Sequence, residues 1–226
     1  MLATGLFYWI PRSGIMLISS QTIKKCQGVV VFHLLRDGLR SSVASGSGIM
    51  TMRLPNGQWS DGAAVLVNHT AKLPPDVDVV DVVLIIRDKH NVAALSNPNA
   101  NDWTPIESVP APAPRASSAP DVPPTATQSK APVWSYAKSK GHLLVDFELQ
   151  GLSICESTSE NEKFYDLSGV TAKEILAGKV KAPSGGSDYL GKTLRAIDKE
   201  EDDYCGLPAA GKCPGDRRVK PAAVAG

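Results

Sequence analysis

The 226-residue chain has only four cysteines, Cys26, Cys155, Cys205 and Cys213. That is too few for a disulfide scaffold in a chain of this length. It also lacks a strong charge of either sign, with 24 Lys and Arg against 23 Asp and Glu and a formal net charge of +1. A dedicated nucleic-acid binder usually carries a large basic excess, so nucleic acid is not an expected partner. No run approaches the roughly 18 uninterrupted apolar residues of a membrane-spanning helix, and no transmembrane segment is expected. Met1 to Ile10 is apolar and uncharged, but it has no basic residues before it and no clear small-residue cleavage site after it. Secretion is therefore not expected.

Catalytic signatures are absent as well. The sequence holds no G-x-S-x-G, H-E-x-x-H, Walker loop or G-x-G-x-x-G. Gly46-Ser47-Gly48 precedes a strand-like run, whereas a phosphate cradle needs a helix behind it. The histidines His33, His69, His90 and His142 are scattered, and Cys205 and Cys213 have no histidine near them. Such spacing makes a poor zinc site. The chain is not expected to be an enzyme, and no metal or cofactor is expected. His33 reads as a satisfied core histidine and Cys26 as a small buried side chain.

What is present is an ordinary globular composition, 42% hydrophobic and 21% charged, with an uneven layout. Residues 12–53 hold six basic side chains and one acidic, a local net of +5. Residues 54–110 hold three basic and seven acidic, a net of −4. The β-branched run Gly28 to Leu35 predicts a buried strand. Ser41 to Met52 predicts a second, with close backbone approach at its glycines. Leu54-Pro55-Asn56-Gly57 is a turn signal, because Asn-Gly tolerates positive φ at both central hairpin positions. Further strands are expected over 63–67, 77–86, 133–136 and 143–154. Thr171 and Glu174 form a capping box, Gly178 is placed to end that helix, and a helix near 187–203 carries Leu190, Leu194 and Ile197 on one face. Trp59 is expected to pack on the sheet.

Residues 98–132 contain nine of the 17 prolines. That composition buries too little apolar area to offset its ordering entropy. A disordered linker is expected over 98–130, and a disordered tail after Cys205.

Particular strings carry a resemblance. Ile23-Lys-Lys-Cys-Gln-Gly-Val-Val-Val-Phe32, Gly46-Ser-Gly-Ile-Met-Thr-Met-Arg-Leu-Pro-Asn-Gly-Gln-Trp-Ser60 and Val82-Val-Leu-Ile-Ile86 resemble motifs of the SYLF-domain family. So do Pro132 to Gly141, Asn161 to Tyr165 and Val170 to Gly178, in family order. The chain departs from the family after Ser96, where glycine-rich strands give way to the proline-rich segment. The resemblance implies a non-catalytic module of phosphoinositide-rich membranes, actin filaments and endocytic patches.

The expected fold is α+β, a mostly antiparallel sheet with a few short helices. Residues 10–97 and 131–183 form the two halves of one SYLF-like domain around the linker, and 184–226 holds a helix and the tail. The expected partners are anionic lipids and actin, with a cytoplasmic location at membranes or cortical actin patches. Lipid phosphates attract clustered Lys and Arg through charge-assisted hydrogen bonds. The candidates are Lys24, Lys25, Arg36, Arg40, Lys138 and Lys140. Lys138 and Lys140 share a face if both lie on a strand. The alternative is a scaffold with a decayed lipid site, acting through its proline-rich linker.

Overall fold

The computed structural model describes residues 18–36, 38, 43–71, 73, 76–88, 103–112, 125–140, 142–144, 149–183 and 189–199. The chain opens with α1 (Ser20–Lys25). The Ser19 hydroxyl caps it by accepting from the Thr22 N–H at 3.1 Å. Four strands follow, β1 (Gly28–Arg36), β2 (Ala44–Met52), β3 (Ala63–His69) and β4 (Val79–Ile86). Then come β5 (Thr104–Ile106), β6 (Val109–Pro110), α2 (Ala126–Lys130), β7 (Val133–Ser139) and β8 (His142–Leu143). The last described elements are β9 (Leu152–Glu156), α3 (Thr158–Tyr165), α4 (Ala172–Leu176) and α5 (Tyr189–Lys199).

The strands form one sheet in the order β5-β9-β3-β2-β1-β4-β7-β6, with β8 on β7. All pairings are antiparallel except β6 with β7. Strands from the two flanking blocks interleave: β9 joins β3 on one side of the four-strand group β3-β2-β1-β4 and β7 joins β4 on the other. The expected α+β class with a mostly antiparallel sheet is what the chain adopts.

The segment 98–130 departs from the expected linker. Its described residues hold β5, β6 and α2, and α2 starts with a reciprocal capping box between Thr125 and Gln128. Only Glu107 and Ser108 separate β5 from β6, yet β5 pairs with β9 at one end of the sheet and β6 with β7 at the other. Seven residues therefore join opposite ends of the strand path, and the sheet curls back on itself. Proline lacks the N–H that a central strand must donate, so it is confined to sheet edges. Pro105 and Pro110 occupy such edge strands, which is how a proline-rich composition is compatible with order in 103–112; residues 98–102 and 113–124 of the expected linker lie outside the described residues. The expected tail after Cys205 lies outside the described residues.

Two apolar clusters hold the sheet. On the inner face, Val30, Phe32 and Leu34 of β1 meet Met50, Val65, Val82 and Leu84, with Ile175 and Leu176 of α4 closing over them. On the outer face, Val29, Val83, Ile85 and Tyr136 pack against Ile23 of α1 and Leu190, Leu194 and Ile197 of α5. β4 lies under cover on both faces, which explains its unbroken apolar run. β1 and β2 approach closely at Gly48, where a Cβ would collide with the Val31 carbonyl and the Phe32 Cβ.

Candidate functional site

The turn after β2 builds the first polar cluster. Leu54 N–H donates to Gln58 O at 2.8 Å across a three-residue loop. Gly57 takes φ +80°. Asn56 keeps negative φ, and its side-chain oxygen accepts from the Gln58 N–H at 3.0 Å. The loop brings Arg53 and Trp59 side by side as a bridge pair, with the guanidinium carbon 4.1 Å from the indole ring centroid. Both grip α5. Arg53 donates twice to the Asp198 carboxylate at 2.7 Å, and Trp59 Nε1 donates to it at 2.8 Å. Arg53 Nη2 also reaches the Ile23 and Lys24 carbonyls of α1 at 3.4 Å. One guanidinium thus ties α1, α5 and the sheet together. Trp59 is buried as expected, and its indole N–H has a structural partner. Arg87 and Trp134 repeat the arrangement, with Arg87 4.0 Å over the ring and both side chains donating to the Gln128 carbonyl of α2.

The expected lipid-binding residues fall into two groups. Lys24 and Lys25 occupy the last turn of α1, before β1, with Lys25 exposed and Lys24 half-buried. Arg36 ends β1, eight residues past Gly28, which at about 3.3 Å per residue is about 26 Å along the strand. Arg36 donates to Val77 O at 2.8 Å, and its Nε lies 3.5 Å from Asp78 Oδ1. Lys138 stands opposite Asp81, and the Lys140 Nζ donates to Asp76 O at 3.1 Å. Three cations there sit among Asp76, Asp78 and Asp81. Lys138 and Lys140 do not share a strand face, because β7 ends at Ser139 and Lys140 turns into the left-handed region at φ +48°. Arg40 lies outside the described residues.

Two other polar groups have defined work. His33 is half-buried on β1, and its Nδ1 lies 2.5 Å from Asp81 Oδ1 on β4. That hydrogen bond raises the imidazole above its usual 6.5. Glu156 is buried and accepts from the Ala172 N–H at 2.6 Å and the Asn161 side-chain amide at 3.3 Å. Burial raises its pKa, and those hydrogen bonds lower it. Cys26 is buried as expected; its thiol donates to Ile23 O at 3.1 Å, and burial pushes its pKa up to about 12. Among the described residues, no group of three or more His, Cys, Asp or Glu gathers to hold a metal ion.

Sequence reasoning saw the cations of α5 as a charged helix surface and did not connect them to α1. α1 and α5 pack against each other. Lys192 and Lys199 are exposed and Arg195 is half-buried. The signal that links the helices is Asp198, the one carboxylate within α5, held by Arg53.

A curled antiparallel sheet, packed on both faces and carrying a pair of cationic helices outside, defines the class of module. A family model described as the Las17-binding protein actin regulator Ysc84 matches residues 76–197, and the chain belongs to that family. It is 30% identical over 174 residues to Protein YSC84 of Saccharomyces cerevisiae, covering 76% of this chain and 36% of that protein. It is 30% identical over 170 residues to SH3 domain-containing YSC84-like protein 1 of Xenopus laevis, covering 74% of this chain and 49% of that protein. LAS seventeen-binding protein 3 of Saccharomyces cerevisiae is 29% identical over 167 residues, covering 74% and 36%. The chain thus spans between about a third and a half of the length of these relatives. No described helix is long and apolar enough to cross a membrane.

Proposed function

We propose that the chain is a non-catalytic, peripheral membrane module that binds anionic lipids, phosphoinositides among them, and serves actin organisation at the cell cortex and in endocytosis. Residues 10–97 and 131–183 act as the two halves of one SYLF-like domain. The observation that carries the lipid reading is Lys24 and Lys25 side by side in the last turn of α1. The actin part rests on family membership, since the matching family is described as an actin regulator. The location that suits both is cytoplasmic, at membranes or cortical actin patches.

Sedimentation with phosphatidylcholine vesicles, with and without phosphoinositide, tests the lipid reading. The chain is expected to pellet only with the anionic vesicles, and less at high salt, because the Debye length falls from about 10 Å at 0.1 M to about 3 Å at 1 M. Failure to pellet at low salt sinks the lipid reading. Sedimentation with actin filaments tests the second partner separately. The scaffold alternative is weakened by Pro105 and Pro110, which lie in β5 and β6 within the sheet.

A further inference from the structure

Lys192 and Lys199 of α5 are exposed and Arg195 is half-buried, on the side of the helix away from the outer cluster. Leu190, Leu194 and Ile197 are buried in the outer cluster. At about 100° per residue, Lys192, Arg195 and Lys199 fall at roughly 200°, 140° and 180° from Leu190. The apolar stripe faces the sheet and the cations face away from it. Arg53 touches both the Lys24 carbonyl and the Asp198 carboxylate, which sets the end of α1 beside the end of α5.

We propose that α1 and α5 form one docking face for an anionic bilayer, with Lys24, Lys25, Lys192, Arg195 and Lys199 as its headgroup contacts. This rests on the lipid reading above and specifies its surface. Arg53, Trp59 and Asp198 are positioning residues, which hold the two helices in a fixed relation without touching lipid.

Three features select a bilayer as the occupant. The cations are spread along two helices, and α5 alone is about 16 Å long. A single small phosphate ligand is held best by donors that converge on it, whereas spread cations match an array of headgroups. The apolar stripe of α5 is already used in the core, so the helix contributes charge and not insertion, unlike an interfacial helix that buries its apolar face among acyl chains. The only carboxylate of α5 is turned inward onto Arg53. The opposite end of β1 is a poorer candidate, because Arg36, Lys138 and Lys140 stand among Asp76, Asp78 and Asp81. Glu200, Glu201, Asp202 and Asp203 follow α5 directly in the sequence. Their charge opposes the contact, so a densely anionic bilayer is needed.

The test uses the full chain and vesicles of phosphatidylcholine containing phosphatidylserine and a phosphatidylinositol bisphosphate, at low salt. K192E/K199E and K24E/K25E are each expected to weaken vesicle binding by about tenfold or more, because each cation near an anionic surface is worth a factor of about five. K138E/K140E is expected to stay within about twofold of wild type on the same arithmetic. Melting temperatures of the lysine variants report whether the fold is kept. Asp198→Asn separates positioning from charge. It removes a negative charge, so charge counting expects tighter binding, while loss of the grip on α5 expects weaker binding. The proposal requires the weaker result. If wild type pellets and K192E/K199E pellets equally well, the α5 assignment is overturned and the lipid reading stands. If wild type does not pellet, the lipid reading itself fails. Loss of actin-filament sedimentation in K192E/K199E with vesicle binding intact would assign the face to the filament and overturn the bilayer.

Discussion

Glu156 is placed where charge is costly and hydrogen bonding offsets the cost. It lies at the end of β9, and its carboxylate accepts from the first N–H of α4 and from Asn161 of α3. Asn161 in turn exchanges two hydrogen bonds with the Ala64 backbone of β3. Burial leaves Glu156 with a raised pKa. The sign follows from linkage. A carboxyl that binds its proton more tightly folded than unfolded contributes most at low pH, and that contribution is lost as pH rises from about 4.5 through the folded value. Glu156→Gln keeps an oxygen for the Ala172 N–H and removes the buried charge. Glu156→Ala leaves that N–H unpaired, which typically costs about 1–3 kcal/mol. Denaturant unfolding at neutral pH should therefore show a clear loss for Glu156→Ala and less than half of it for Glu156→Gln. The glutamine variant should also lose the fall in stability above pH 4.5. Equal losses in the two variants would show that the negative charge itself is required.

At the scale of elements, the two arginine–tryptophan pairs explain how short helices stay on the sheet. α1 has six residues and α2 five. Isolated helices shorter than about 12–15 residues are marginal in water, so these depend on what grips them. Trp59 supplies both a buried ring and an N–H to Asp198. Trp59→Ala should cost roughly 3–5 kcal/mol by emptying the site. Trp59→Phe keeps most of the ring and loses the hydrogen bond, for a cost of about 1–2 kcal/mol. Thermal unfolding in the absence of lipid measures both, and a Phe variant as damaged as the Ala variant would locate the effect in the N–H alone. The central strands and the Arg53–Trp59 turn were legible because β-branched runs and a Pro-Asn-Gly turn are local signals. The helix of Leu190, Leu194 and Ile197 was legible from its spacing. α1 was not, since a six-residue polar helix has no period to read, and α3 buries only Asn161 and Tyr165. The partner of Trp59 was beyond reach of pattern reading, because Asp198 lies 139 positions away. Lys24 and Lys25 were singled out as basic neighbours ahead of the first apolar strand and not as part of a helix, and nothing local placed Arg36 and Lys138 at the other end of β1 among carboxylates.

At the scale of the whole molecule, the feature that composition hid is the closure of the sheet through residues 104–110. β5 aligns three residues with β9, and β6 aligns two with β7. Ser135 reinforces the second contact by donating to Val109 O at 3.2 Å, and the Ala111 N–H donates to Ser135 O at 2.9 Å. Ile106 is buried in the inner cluster, so the segment is fastened by packing as well as by backbone pairing. One short connection therefore restrains two sheet ends that are separated by four strands in the order β9-β3-β2-β1-β4-β7. A strap of this kind stabilises cooperatively, because releasing either attachment frees both ends. Ile106→Ala removes the apolar anchor at one end only, at an expected cost of about 2–5 kcal/mol. If the strap acts as one unit, hydrogen exchange should rise in β7 as well as in β9, although Ile106 belongs to the strand that pairs only with β9. Replacing Thr104–Pro110 by glycine and serine at equal length should raise exchange at both ends further. Faster exchange in β9 with β7 unchanged in the Ile106 variant would show two independent attachments and no strap.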